Sequence, residues 1–215
     1  MQMNRLTQTG PLLALAALAA IPLSMAFADR PIAFFMFQHM HESRAPFVLL
    51  TRLVDVVEVA AGLLLLWSLW TYARGGAFGA KDRIALRAAL AVFVAIGAKD
   101  MLKIAFGRTW PETFTCGNPS FIRDAAYGFA PFHGGQGWAS FPSGHDMVVF
   151  AAAGCLWVLL PRLRLLYVLA AVLVSVGLLV ADFHWLSDIV AGGLFGWIIG
   201  RLIAQADLGK ASPAT

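Results

Sequence analysis

The sequence predicts an all-α fold: a polytopic membrane bundle of about six transmembrane helices, with short interfacial helices on its outer face. Three observations predict it. Of 215 residues, 60% are hydrophobic and 13% charged, against roughly 45–50% and 25% in soluble domains. The mean hydropathy is +0.74. The charges are also segregated, leaving long stretches with almost none, and about 20 consecutive apolar residues suffice to cross a bilayer core.

Six apolar stretches follow one another: Gly10 to Ala28, Val54 to Ala73, Ile84 to Phe106, Ser143 to Leu160, Leu165 to Ala181 and Trp185 to Ala204. The fifth is short and the sixth carries Asp188, so both lean on their neighbours for support. Between the first two, Asp29 to Leu53 mixes Phe34, Phe35, Phe37 and Leu49 with Gln38, His39, His41, Glu42 and Arg44. That mixture is too polar to cross and too apolar to float free. It fits a pair of helices lying on the outer face, either as a wall for arriving lipid or as plain packing on the bundle. One domain over residues 1–208 uses the whole apolar length, and the tail 209–215 reads as disordered.

Basic residues set the orientation. Arg5, Arg74, Lys81, Arg83, Arg87, Arg162, Arg164, Arg201 and Lys210 fall at the termini and in two short loops, all on one side for an even number of crossings. The positive-inside rule makes that side cytoplasmic. The opposite side, periplasmic or exterior in a bacterial inner membrane, receives the longer segments and also Arg30, Arg44, Arg52, Arg108 and Arg123. The net charge of +4 is thus explained by topology, with no stripe for nucleic acid. The N-terminus has a second reading: Arg5, the run Leu12 to Ala20, Pro22 and Ala26-Phe27-Ala28 together resemble a cleavable signal peptide. The two cysteines lie in different contexts, Cys116 in a loop and Cys155 about 18 Å into a helix opened by Ser143, so no disulfide is expected.

Three elements carry chemistry. In Phe141-Pro-Ser-Gly-His-Asp146, Pro142 and Ser143 are helix-opening residues. The free N–H groups of such an end attract anions. Gly144 permits close approach, and His145 could give a proton to a leaving oxygen. The bland alternative is an ordinary capped helix. In Asp182-Phe-His-Trp-Leu-Ser-Asp188, His184 and Asp188 share a helix face, so Asp188 can hold the imidazole and free its far nitrogen as a nucleophile. The alternative is a structural His–Asp staple. In the segment Lys99 to Pro111, Lys99, Lys103 and Arg108 would gather counter-charge for a phosphate, or the lysines merely snorkel. Lys99 and Asp100 adjoin, so Asp100 is expected to pair with Lys103. All three elements fall on the outer face, which points to phosphoryl transfer.

These motifs resemble the type 2 phosphatidic acid phosphatase family. Phe141-Pro-Ser-Gly-His145 with the later His184-x-x-x-Asp188 resembles its second and third motifs, and Lys103 to Pro111 its first. The resemblance implies that His184 attacks phosphorus, Asp188 orients it and His145 protonates the leaving alcohol. Ser143, Gly144 and Lys103 would hold phosphate oxygens, with no metal or other cofactor. Two family arginines are replaced: Trp110 stands before Pro111, and Gly177-Leu178 stands where the third motif usually begins Ser-Arg. Arg108 is the expected substitute, with Lys99 and Arg123 as auxiliaries. The expected activity is metal-independent hydrolysis of a membrane lipid phosphate or pyrophosphate. A phosphotransferase built on the same site, and a non-catalytic lipid-phosphate binder or transporter, are the alternatives. Substrate headgroup and oligomeric state leave no mark in the sequence.

Overall fold

The computed structural model describes residues 3–75, 78–114 and 117–207, and within these it is helical with no extended strand. Nine α-helices follow in order: α1 (Met3–Phe27), α2 (Asp29–Met40), α3 (Ala45–Thr51), α4 (Leu53–Ala73), α5 (Ala80–Phe106), α6 (Phe121–Asp124), α7 (Gly144–Leu159), α8 (Arg164–Val180) and α9 (Leu186–Gln205). The six apolar stretches correspond to α1, α4, α5, α7, α8 and α9. The polar-apolar segment between the first two forms α2 and α3. The tail 209–215 and Cys116 lie outside the described residues, and Cys155 is a buried free thiol.

Burial in this chain is inverted relative to a water-soluble protein. Leu15, Val59, Leu66, Leu165 and Leu202 are each more than 60% exposed, whereas Asp29, Arg108, Asp146, Asp188 and several serines are buried. An apolar exterior around a polar centre is what a hydrocarbon solvent selects. The chain is an integral membrane protein. By length and composition, the span 161–180 and α9 can each cross alone, and α1 with α2, bent by 65° at Ala28, could count as a third. At 16 residues, α7 is only about 24 Å long against a core of about 30 Å. Helices α4 and α5 are long enough, at 21 and 27 residues, but carry Asp55 and Glu58 near the start of α4, and Lys99, Asp100 and Lys103 near the end of α5.

The central contact is between α7 and α9. Gly192, Gly196 and Gly200 recur every fourth residue along α9 and let the backbones touch. A β-carbon on Gly192 would come within 2.4 Å of the Ser143 carbonyl oxygen, on Gly196 within 2.2 Å of that of Met147, and on Gly200 within 2.1 Å of that of Ala151. Small residues at one face are how apolar helices approach closely without a hydrophobic driving force. Helix α5 covers one side of this pair, α8 packs on α7 and α1 packs on α9. The ladder fixes the N-terminal end of α7 against that of α9, where the Ser143 N–H donates to the Asp188 carbonyl at 3.0 Å.

Candidate active site

Ser143 caps α7: its Oγ accepts from the Asp146 N–H at 3.4 Å and donates to Asp146 Oδ2 at 2.7 Å. The Ser175 hydroxyl of α8 donates to the other oxygen of Asp146 at 2.6 Å. These bonds occupy the Ser143 hydroxyl, and the Ser143 N–H is given to Asp188. Ser143 therefore builds the helix opening and is not placed to hold a phosphate oxygen itself. The first-turn N–H groups of Gly144 and His145 have no carbonyl a turn earlier to take them, and they border open space.

That space is a cavity of about 250 Å³ lined by Val54, Asp55, Glu58, Lys99, Lys103, Gly144 and His145. The structure thus brings four of the expected residues, Lys99, Lys103, Gly144 and His145, into one wall. A β-carbon on Gly144 would meet Lys99 Cδ at 2.8 Å and Lys103 Cε at 3.7 Å, so glycine lets the lysine stems lie close over the helix end. Lys99 Nζ donates to the adjacent Asp100 at 2.8 Å, contrary to the expected Asp100–Lys103 pairing. Neighbouring helical positions diverge, but the long lysine stem folds back. Asp55 and Glu58, from α4, are cavity residues that motif reading did not place in the site.

Behind this wall lies a buried layer. His184 is 4% exposed, and its Nδ1 lies 3.3 Å from Asp188 Oδ2. In that geometry Nδ1–H donates and Nε2 is free. Burial pushes the His184 pKa down against the upward pull of Asp188, which favours the neutral ring. Asp188 also accepts from the Ser140 hydroxyl at 2.5 Å and the Trp185 N–H at 3.3 Å. The Trp110 ring lies 5.0 Å from the His184 ring and 5.4 Å from Lys103 Nζ. An indole therefore fills the place of the family's first-motif arginine, between the nucleophile candidate and its lysine. Lys103 interacts electrostatically with both His145 and His184, and the two histidines with each other.

Arg108 does not have the expected role. Its side chain is fully buried and both terminal nitrogens are engaged: Nη1 with Asp188 Oδ1 and with Ser187 Oγ at 2.7 Å, Nη2 with Asp29 Oδ2 at 2.7 Å and Tyr127 at 3.2 Å. Burial alone would lower its pKa, but Asp188 and Asp29 hold it above the ordinary range. Arg108 is thus a permanent cation facing two carboxylates rather than a phosphate. Arg123 is also elsewhere. It bonds Asp124 and the carbonyls of Gly117 and Asn118, stapling the loop ahead of α6, and its partner Asp124 raises its pKa. Gly177 and Leu178 are packing residues. Leu178 is fully buried, and a β-carbon on Gly177 would meet the Phe47 carbonyl oxygen of α3 at 2.7 Å. Among the described residues no group of three or more His, Cys, Asp or Glu side chains is gathered as a metal would require.

A family model described as the PAP2 superfamily matches residues 84–210, the stretch holding every motif above. The chain belongs to the PAP2 superfamily. Two lipid A 1-phosphatases are similar to it. That of Rhizobium johnstonii is 33% identical over 97 residues, 45% of this chain and 37% of the relative. That of Rhizobium etli is 33% identical over 105 residues, 49% and 42%. The aligned part is thus about two fifths of the length of these curated relatives. A solved structure, a transmembrane PAP2-type phosphatidylglycerolphosphate phosphatase from Bacillus subtilis, aligns over 88% of this chain and 93% of its own at 16% identity, with a TM-score of 0.47. Helices α1 to α4, and with them Asp29, Asp55 and Glu58, precede the part matched by the PAP2 model.

Proposed function

We propose that this PAP2 protein is a membrane phosphatase that hydrolyses a lipid phosphate or pyrophosphate monoester through a phospho-histidine. One domain, residues 1–208, crosses the membrane six times and opens its site on the outer face of a bacterial inner membrane. The observation that carries the reading is the cavity at the open end of α7, where Gly144, His145, Lys99 and Lys103 face one space with the His184–Asp188 pair behind it. Phosphate oxygens lie against the first-turn N–H groups and the lysines. Nε2 of His184 attacks phosphorus as the bond to the lipid oxygen breaks, and His145 gives that oxygen its proton. Water then attacks the phosphorus of phospho-His184, the N–P bond breaks, and His145 takes the proton back. The two relatives named as lipid A 1-phosphatases favour a glycolipid phosphate as substrate.

The test uses the full chain purified in detergent, with a chelator and a panel of lipid phosphates: a glycolipid 1-phosphate, phosphatidate and a prenyl pyrophosphate. Phosphate release from at least one of them, lost in His184→Ala and reduced on the order of a hundredfold or more in His145→Ala, is the expected result. Release that survives in both variants contradicts the assignment.

A further inference from the structure

Asp29 is a buried carboxylate that the mechanism above leaves without a task. It opens α2 immediately after the bend at Ala28 and is 1% exposed. Its Oδ1 accepts the Ser187 N–H at 2.9 Å. Its Oδ2 accepts from the Ser187 hydroxyl at 2.5 Å and from Arg108 Nη2 at 2.7 Å. Ser187 immediately precedes Asp188, and Arg108 joins Asp29 to Asp188 through opposite ends of one guanidinium. Tyr127 closes the cluster: its hydroxyl donates to the Met25 carbonyl at 2.7 Å and accepts from Arg108 Nη2. The rings of Tyr127, Phe129 and Trp185 lie about the guanidinium, 4.9 to 5.3 Å from its carbon.

Such an arrangement solves an electrostatic problem. Asp188 must hold the Nδ1–H of His184, yet one of its oxygens is bonded to Arg108. An arginine paired with Asp188 alone would draw the whole carboxylate charge to itself and leave little for the imidazole. A second carboxylate on the opposite edge divides the attraction. We propose that Asp29 is a positioning residue for the catalytic pair: by sharing Arg108 it leaves Asp188 charge for His184, and by bonding Ser187 it fixes the start of α9. The proposal rests on the phospho-histidine reading for its catalytic consequence, but the coupling of Asp29 to His184 is measurable without turnover. It also gives the helices ahead of the PAP2-matched segment a part in the chemistry.

The charged and titratable groups facing this network are few. His184 meets Asp188 of α9, Lys103 of α5, Arg108, and His145 of α7. Arg108 and Asp29 meet each other, Asp188 and Tyr127, and the Arg30 guanidinium stacks 5.2 Å from the far Tyr127 ring. Removing the Asp29 charge therefore makes the surroundings of His184 more positive. Removing Asp29 and Arg108 together takes away the nearer cation and the farther anion, and makes those surroundings more negative.

The experiment follows the ring nitrogens of 15N-histidine-labelled full-length protein across pH, with His184→Gln assigning the signal, alongside phosphate release from the wild type. Asp29→Asn should lower the His184 protonation midpoint by about one unit. It should also cut kcat roughly tenfold or more with KM within about threefold, and Asp29→Glu should restore most of both. The Asp29→Asn/Arg108→Gln double variant should move the midpoint in the opposite direction, above wild type. A role in folding alone moves neither midpoint, and unchanged midpoints overturn the proposal. If Asp29→Asn does not yield folded protein, the double variant decides: a His184 midpoint above wild type supports the coupling, and an unchanged one overturns it. A wild type that releases no phosphate would refute the phosphatase reading and leave the coupling result standing or falling on its own.

Discussion

At the residue scale, chemistry and structure divide the polar side chains into those that open onto the cavity and those that hold them. Lys103 belongs to the first group, whereas Arg123 belongs to neither and bonds Asp124 and the Gly117 and Asn118 carbonyls. Lys103→Ala should reduce turnover on a lipid phosphate by about 10²–10³, the usual consequence of losing a charged donor at a reacting oxygen. Arg123→Ala should leave kcat near wild type, and a steady-state assay of both distinguishes the roles. His184, Asp188, His145, Gly144 and Lys103 were legible in the sequence because their chemistry is written at short, fixed spacings. Arg108 was legible as a cation but not as an ion-paired one. Its partners Asp29 and Asp188 lie 79 and 80 residues away, and nothing local separates an arginine awaiting phosphate from one already neutralised. Asp182 was equally hidden. It is buried with one carboxylate oxygen unpartnered, and burial with nearby Glu112 raises its pKa to about 8. Because the folded pKa lies above the ordinary 3.8, the stability this contributes is full below about pH 4, is lost progressively as pH rises toward about 8, and falls no further above it. Asp182 has a backbone φ of 58°, which Asn also accepts. Asp182→Asn should therefore flatten the fall in melting temperature between about pH 4 and pH 8, read by thermal melts in detergent over pH.

At the scale of helices, the site depends on how closely α7 and α9 cross. The Gly192-Gly196-Gly200 ladder was present in the sequence as a four-residue repeat of small side chains, yet an apolar stretch with glycines does not say which neighbour they face. Gly196→Ala places a β-carbon 2.2 Å from the Met147 carbonyl, so the helices must part. A loss of about 1–3 kcal/mol is expected, with activity falling as Ser143 separates from Asp188. Gly62→Ala in α4 meets nothing within 4 Å and should be neutral or stabilising by up to about 1 kcal/mol. Unfolding in detergent, measured with activity for both variants, checks the contrast. The helix boundaries were readable to within four residues because apolar length is a coarse and robust signal, except the start of α1, which lies at Met3 and not Gly10 because its first turns are polar. The break at Ala28 fell where the first apolar stretch gives way to the polar-apolar segment, whereas its angle of 65° carries no sequence signal.

At the scale of the molecule, an apolar exterior surrounds a polar centre, and the polar centre is concentrated at one end of the bundle. Helices of very different sequence contribute to it: α2 gives Asp29, α4 gives Asp55 and Glu58, α5 gives both lysines, α7 gives His145 and α9 gives Asp188. Motif spacing could place only the last three helices there, because the contributions of α2 and α4 carry no motif. The replacement of both family arginines is also resolved at this scale. Trp110 fills one place as a ring between Lys103 and His184, and Leu178 fills the other as core. On the proposed reading, phosphate binding is thereby left to lysines and helix-end amides. The account stands on His184 as the atom that takes the phosphoryl group. Mixing the purified protein with a lipid phosphate labelled in its phosphorus, quenching in alkali within the turnover time and sequencing the labelled peptide by mass spectrometry tests this directly. The account predicts label on His184, absent in His184→Ala and accumulating in variants slowed in the water step. Label on another residue, or full turnover with His184 never labelled, would contradict it.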